Sequence, residues 1–491
     1  MANSSNPGVI AATTLALLLG GCAVGPDYRT PSLAMPVSWK GEAAKPKAAR
    51  PQLSQWWRNL DDPLLNALVE EAVAGNLDVA SAKAVIREAR ATRRQAVGGL
   101  LPTVDGTADA DRTKTAATQT GTGKSVTAST FQAGFDASWE LDLFGATRRE
   151  VEAATYGIDA AEEELRSTLL TLIGDVAQNY VEARGYQARI ALARRTSAAQ
   201  RETAGLTRQK LDAGSASSVD VSNANGLAAS TAAEIPSLEA FLAQSIHRLG
   251  VLTGRPPAAL AARMAAAKPI PNPRRLPVAG VPADILRNRP DVCLAERQLA
   301  QYTAKIGQAE AALYPSVSLT GSISTTSSKI GDLAKRSTIG WSYGPSVDVP
   351  IFEGGTLRAA IDVAKAQRDQ YFVAFKSSVL TALEDVENAL VSLAKERQRT
   401  AQLATAASNY REAARLSREL YRAGTSDFLD VLDAERSAFD AEDSLLQSRV
   451  SAATDHVALS KALGGGWDRP VDASRPEVVD RATGPRLAAR E

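Results

Sequence analysis

Two histidines and two cysteines in 491 residues leave this chain little with which to ligate a metal or carry a nucleophilic mechanism. His247 and His456 have no cysteine or acidic cluster at ligand spacing beside them, and no Ser/His/Asp or paired-carboxylate arrangement can be picked out, so no enzyme is expected. The 56 basic residues nearly cancel the 55 acidic ones, and no Lys/Arg run of the kind that tracks a phosphate backbone occurs, which argues against nucleic acid as a partner. Aromatics are scarce at 5%, whereas Ala, Leu, Glu, Arg and Gln abound, the composition of long packed helices. After the N-terminus no apolar run reaches the roughly 18 residues of a membrane-spanning helix, so any passage through a bilayer has to use strands.

The one apolar run present lies at the start. Val9 to Leu19 is too short to span a bilayer and reads as the core of a signal peptide ending in Leu19-Gly20-Gly21-Cys22. A lipoprotein signal peptidase needs small residues before its cysteine, because the substrate lies extended in a narrow cleft; Cys22 is therefore expected to carry diacylglycerol and a fatty acyl group. The usual charged segment is missing, since the first nine residues contain no Lys or Arg. Ala23 stands where an Asp would signal retention in the inner membrane, so sorting to the outer membrane is permitted. Cys293 is left without a thiol partner and is expected to be a small buried apolar residue.

Alternation marks four strands. Phe131, Ala133, Phe135, Ala137, Trp139, Leu141 and Leu143 interleave with polar residues or Gly at a strict period of two, which a helix would scatter around its axis. Trp341, Tyr343, Val347, Val349 and Ile351 repeat the pattern, as do Val317, Leu319 and Ile323, while Thr103 to Asp111 alternates more weakly with Asp105, Asp109 and Asp111 on one face. Two hairpins result, with tips at Thr113 to Ser129 and Thr325 to Ser337. Alternation with aromatics at strand ends is the pattern of an outer membrane barrel wall; a soluble sheet with one wet face would alternate equally well.

Long helices lie between the hairpins. Arg148 to Leu211, 64 residues without Pro (211 − 148 + 1), would reach about 95 Å as a helix, and Arg358 to Arg422 is similar. In the latter Phe372, Phe375, Val379, Leu383, Val386, Leu390 and Leu393 form a narrow seam at spacings of three and four. The halves repeat one another. Leu101-Pro102 matches Tyr314-Pro315 at an offset of 213, and Ala213-Gly214 with Asp220-Val221 matches Ala423-Gly424 with Asp430-Val431 at an offset of 210. The expected division is a signal peptide at 1–21, an extended arm at 22–60, a first repeat at 61–255, a Pro-rich linker at 256–290, a second repeat at 291–467 and a tail at 468–491. Strands are expected near 103–111 and 131–143 in the first repeat, and near 316–324 and 339–351 in the second.

Four strands cannot close a barrel, and an open edge cannot face lipid, because each unpaired N–H or C=O there costs several kcal/mol. Sister copies must complete such a wall. The chain resembles the TolC-like outer membrane factor family, in particular its OprM-like, NodT-type lipoprotein branch. The resemblance rests on the lipobox at Cys22, Trp56-Trp57 with Asp61-Asp62-Pro63-Leu64, Leu101-Pro102, and Leu143-Phe144-Gly145. It extends to Pro350-Ile351-Phe352-Glu353-Gly354-Gly355, Tyr421-Arg422-Ala423-Gly424 and Ala462-Leu463-Gly464-Gly465-Gly466-Trp467. It implies a mainly α chain with transmembrane β: a homotrimeric twelve-stranded β-barrel, four strands per protomer, continued by a long periplasmic α-barrel and built on an internal tandem duplication. The implied partners are outer membrane lipid, a periplasmic membrane-fusion adaptor and an inner membrane transporter of the proton-driven resistance-nodulation-division class, with no cofactor beyond the lipid on Cys22.

The resemblance also implies a gate at the periplasmic helix tips. Asp433 corresponds to an aspartate ringing the aperture, Leu429 to an apolar constriction, and Tyr421 and Arg436 to links between neighbouring helices; Asp430 lies beside them, and the first-half counterparts are Asp220 and Asn223, with Leu211 nearby. Gly214 and Gly424 would turn the chain at the tips, where the adaptor docks. The plainer reading of Asp427, Asp430 and Asp433 is that they cap the returning helix. Gly121-Thr122-Gly123-Lys124-Ser125 imitates the end of a phosphate loop, but the motif's first Gly would fall on Thr118 and no helix follows, so it reads as an external loop. Export of small molecules is the expected function. A duct for protein secretion and a non-conducting coiled-coil scaffold lipoprotein are the alternatives.

Overall fold

The structure, a computed structural model, describes residues 23–33, 36, 39, 54–121, 123–273, 288–481 and 484–487. Cys22, the signal peptide, most of the arm, Thr122 and residues 274–287 of the linker lie outside the described residues. Helices α1 (Pro63–Gly75) and α2 (Leu77–Gly98) precede strands β1 (Thr103–Thr115) and β2 (Val126–Leu141), followed by helices α3 (Ala146–Asp212) and α4 (Ser218–Leu252). The order then recurs with α5 (Pro290–Ala311), β3 (Ser316–Ser327), β4 (Ile339–Asp348), α6 (Thr356–Ala423) and α7 (Phe428–Ala462), before a small hairpin of β5 (Val478–Arg481) and β6 (Gly484–Leu487). No helix among the described residues is long and apolar enough to cross a membrane.

Two compact units emerge. The first gathers residues through Ser32, Ile86–Ala161 and Leu294–Phe375, and it holds the sheet. The sheet is an antiparallel meander in the order β1-β2-β3-β4, in which β2 and β3 join the two halves of the sequence with Phe135 opposite Ile323 and Trp139 opposite Leu319. Among the described residues only one neighbour flanks β1 and one flanks β4, so both outer edges are unpaired there. One face presents Val104, Phe135, Ile323, Trp341, Tyr343 and Val347, all exposed, the last three on a single strand. At Gly134 a side chain would collide with the neighbouring strand, since a Cβ there would lie 2.7 Å from the Ile323 carbonyl oxygen.

The strands differ from their expected bounds in instructive ways. β1 and β2 run further toward the hairpin tip, because Thr113, Thr115, Thr127 and Ser129 pair as well as the apolar residues do. β2 stops at Leu141, since the Asp142 carboxylate turns to accept hydrogen bonds from the N–H groups of Thr147 (3.1 Å) and Arg148 (3.0 Å) and so caps α3. β4 stops at Asp348, ahead of Pro350 and the left-handed pair Gly354 and Gly355. In the same unit Arg149, almost fully buried, donates to the carbonyls of Val24 and Gly25 and to Asp27, pinning the described part of the arm against the start of α3.

The second unit comprises Leu33–Val85, Glu162–Cys293 and Lys376–Glu491. Its α3 segment buries Ile173, Val176, Ala177, Tyr180 and Val181 completely, and α6 buries Val379, Val386 and Leu393 as the seam requires, although Phe372 at the start of that seam is exposed. Trp57 stacks on Trp467 (6.1 Å, 7° between planes) and Trp56 donates from Nε1 to the Gly465 carbonyl at 3.1 Å. Asp62 caps α1 through the Leu64 N–H and accepts from the Tyr180 hydroxyl, which in turn accepts from buried Arg184. The motif residues at either end of the chain thus share one core. Cys293 is only half-buried, because its place on the first turn of α5 leaves it partly uncovered, so it is not the fully buried residue its sequence setting suggested.

Candidate functional site

Long helices are followed by returning ones at the junctions α3/α4 and α6/α7, and the two junctions are built alike. Gly214 and Gly424 take φ of 76° and 78°, a left-handed conformation that side chains resist. The Gly214 N–H donates to the Leu211 carbonyl (2.8 Å) and the Ser215 N–H to that of Lys210 (2.8 Å); Gly424 and Thr425 do the same with Tyr421 (3.1 Å) and Leu420 (3.0 Å). The hydroxyls of Ser215 and Thr425 then donate to the same two carbonyls, of Lys210 and Leu420, each at 3.1 Å. This is a helix end closed by a six-to-one hydrogen bond, and it turns the chain within a few residues.

The returning helices begin differently. α4 opens with a complete capping box, in which Ser217 Oγ accepts from the Asp220 N–H and the Asp220 carboxylate accepts from the Ser217 N–H. In α7 the cap residue Asp427 makes no such bond, and the Asp430 carboxylate accepts from Ser426 Oγ at 2.8 Å. Asp220 and Asp430 are thereby tied up at helix starts, where the helix dipole favours a carboxylate.

Behind the tips a small core joins all four helices: Ala204, Ala224, Tyr421, Phe428 and Val431. Tyr421 is its centre. Its ring meets Phe428 edge-on at 5.9 Å, Lys210 Nζ sits over it at 4.4 Å while donating to the Tyr421 carbonyl (2.6 Å), and its hydroxyl donates to Thr207 Oγ1 at 3.2 Å. Tyr421 therefore ties α6 to α3, across the two halves of the sequence. Asn223 and Arg436 line one groove of about 360 Å³ between α4 and α7, with Gln200 and Asp440. Leu429, 58% exposed, and Asp433 face outward from α7. Neither Asp433 nor Arg436 makes an ion pair with another described residue.

One residue of this region escapes a search for exposed polar tips. Glu435 is 4% exposed, accepts from Thr203 Oγ1 at 3.0 Å, and lies 3.1 Å from Arg418 Nε at an angle that makes the contact an ion pair and no hydrogen bond. Burial pushes its carboxyl above the ordinary value, against the opposing pull of the Thr203 hydrogen bond and the Arg418 charge. Beside it the Gln200 amide, also buried, has no partner among the described residues for its oxygen or its nitrogen, next to a cavity of about 500 Å³ bordered by Arg195, Arg411 and Glu442. The signal was present in the sequence, because Phe428, Val431, Glu435 and Ala438 form one stripe at helical spacing. Among the described residues no group of three or more His, Cys, Asp or Glu side chains gathers at metal-binding distance. The region consists of two tight turns, a small core and a few polar bonds between long helices.

The model of the outer membrane efflux protein family matches residues 68–255 and 281–465. Nodulation protein T of Rhizobium leguminosarum bv. trifolii is 38% identical over 464 residues, 92% of this chain and 96% of that protein. The solvent efflux pump outer membrane protein SrpC of Pseudomonas putida is 33% identical over 464 residues, covering 92% and 97% respectively. Among solved structures, the outer-membrane channel OprN superposes with a TM-score of 0.85 at 37% identity, over 91% of this chain and all of that one.

Proposed function

Because this chain belongs to the outer membrane efflux protein family, whose model covers both of its halves, we propose that it works as the exit duct of a tripartite efflux system, carrying small molecules across the outer membrane. The observation that carries this reading is the open sheet. It exposes an apolar face and leaves the outer edges of β1 and β4 unpaired, an arrangement that lipid does not tolerate in one copy. Three copies supply twelve strands (three times four), enough for a closed wall around water. The apolar face then meets lipid and the polar face lines the lumen, while α3 and α6, each about 100 Å long, carry the conduit into the periplasm.

Acylation at Cys22 anchors each protomer beside the barrel. The tips of α3/α4 and α6/α7 form the periplasmic gate, where three Asp433 carboxylates around a threefold axis repel one another and hold water, and where Leu429 narrows the throat. An adaptor docks over Gly214 and Gly424 and receives substrate from a proton-driven pump of the inner membrane.

Conductance across a planar lipid bilayer tests the whole reading. Purified protein is expected to insert as a trimer and conduct, and Asp433→Ala is expected to raise the conductance of the resting state. A protein that stays monomeric in mild detergent and never conducts would refute it.

A further inference from the structure

The basic residues of the sheet gather at one end and on one face. Within the four strands the only Lys or Arg are Arg112 and Lys114, both exposed. They occupy even positions of β1, the positions that share the apolar face with Phe131 and Phe135 of β2. Every acid of the strands lies on the opposite face. Around the two hairpin tips, residues 112–127 and 325–339 carry Arg112, Lys114, Lys124, Lys329, Lys335 and Arg336 against a single acid, Asp332, which pairs with Lys335. Arg112, Lys114, Lys329 and Arg336 form no ion pair with another described residue.

Below these bases the apolar face is hollowed. Gly106, Ala108 and Ala133 border a groove of about 420 Å³ together with Phe135, Ile323 and Ile339. The β3–β4 loop leans over it: Ala334 also lines the groove, and its N–H donates to Thr325 Oγ1 at 2.9 Å while its φ is 64°. Thr325 shares the face of Ile323, so the loop bends toward the apolar side and brings Lys335 and Arg336, the next residues in the chain, with it. Arg112 stands four residues beyond Ala108, about 13 Å along the strand. A wall that met only fluid acyl chains would need neither the hollow nor the bases. Charge on an outward face is costly at the middle of a bilayer and tolerated at headgroup height.

From this juxtaposition we propose that the outward face of the sheet holds a phosphorylated, multiply acylated glycolipid of the outer leaflet, with a headgroup phosphate on Arg112 and Lys114 and one acyl chain in the groove. The proposal rests on the reading of the chain as a trimeric barrel whose apolar face meets lipid and whose hairpin tips point away from the periplasm. The Arg112 guanidinium offers phosphate a planar two-point grip, and Lys114 adds a point charge on the same face. An acyl chain lying on Ala108 and Ala133 buries apolar surface that the small side chains leave bare. Anionic headgroup above and hydrocarbon below thus match the order of bases and hollow along β1.

The test uses trimers in mild detergent, first shown to conduct in a planar bilayer, then titrated with bis-phosphorylated lipid A and weighed by native mass spectrometry. Wild-type protein is expected to retain lipid A and to bind the same lipid stripped of its phosphates at least about tenfold more weakly. The double variant Arg112→Gln, Lys114→Gln should lose affinity for intact lipid A by a similar factor. Ala108→Leu, which fills the groove and alters no charge, should weaken it as well. Neither inorganic phosphate nor the deacylated headgroup should displace the lipid, since neither occupies the groove. Equal binding of the two lipid forms, equal binding of phosphatidylethanolamine, displacement by free phosphate, or variants that bind as wild type would each overturn the inference while leaving the pore intact. Absence of any conductance would instead sink the pore reading beneath it. Trimers on detergent gels establish that the variants have assembled, and the comparison of lipid forms on wild-type protein needs no variant.

Discussion

His456 offers a sharp test of how the helical unit responds to acid. Its side chain on α7 is wholly buried, 6.4 Å edge-on from Trp56, and neither ring nitrogen has a hydrogen-bond partner among the described residues. Burial, with a smaller push from the Arg397 charge, lowers its pKa from the ordinary 6.5 to about 4. A group whose pKa is depressed on folding gives up stability as the pH falls, because the unfolded chain binds a proton that the folded chain refuses. The loss begins near the unfolded value of 6.5 and is complete once the pH passes below about 4, at about 1.4 kcal/mol per pH unit, or about 3 kcal/mol in all.

His456→Leu removes this term without emptying the site and leaves no polar partner stranded, so it should be neutral or mildly stabilising at pH 7. The measurement is the apparent melting temperature of both proteins in detergent at one scan rate between pH 7.5 and 4.5, followed by tryptophan emission, for which Trp56 and Trp57 are nearby reporters. Acid effects on carboxylates are common to both chains and cancel in the difference. The advantage of the leucine variant should widen steadily below pH 6.5. Parallel curves for the two proteins would refute the reasoning.

Two further substitutions probe the tip. Tyr421→Phe loses only the 3.2 Å bond to Thr207 and should cost about 1 kcal/mol by chemical denaturation, whereas Tyr421→Ala empties the small core and should cost about 3 kcal/mol and raise the resting conductance. Glu435→Gln retains a partner for Thr203 and should stay within about 1 kcal/mol of wild type, while Glu435→Ala leaves Thr203 and Arg418 facing a void and should cost about 2 kcal/mol or more by the same measurement.

Much of this arrangement is written in period and spacing. Strict alternation located β2, β3 and β4, because a half-buried strand has only one way to sort seven residues between two faces. Absence of Pro located α3 and α6, since little else interrupts 67 or 68 residues of helix formers. What eluded the sequence was governed by partners distant in the chain. Asp142 looks like one more polar strand residue until the backbone turns and offers it the N–H groups of Thr147 and Arg148. Cys293 looks buried by residue type alone, but nothing local reports how completely neighbouring helices cover it. Glu435 lies on an inward stripe with Phe428 and Val431, but periodicity gives a face and says nothing of whether Thr203 and Arg418 wait there. Asp220 and Asp430 carry two readings at once, and local capping accounts for the contacts they make within one chain.

The distribution of packing bears on where such a molecule would open. Around α1 and the end of α7, Trp56, Trp57, Leu65, Leu68, Leu249 and Leu260 are almost wholly buried, and large residues bury the most apolar area. At the tips the core contains two alanines, one valine and a single aromatic pair, and polar links replace area: Lys210 to the Tyr421 carbonyl, Tyr421 to Thr207, Arg422 to Glu202. The last of these is largely exposed, so its net contribution is small, whereas the Tyr421–Thr207 bond is buried. The least costly opening of the helical unit is therefore at the tips, where separating α6 from α3 sacrifices a few hydrogen bonds and little apolar contact. Under the gate reading proposed above, a docking partner that held the separated tips through Lys210 and Glu202 would need only a modest binding free energy.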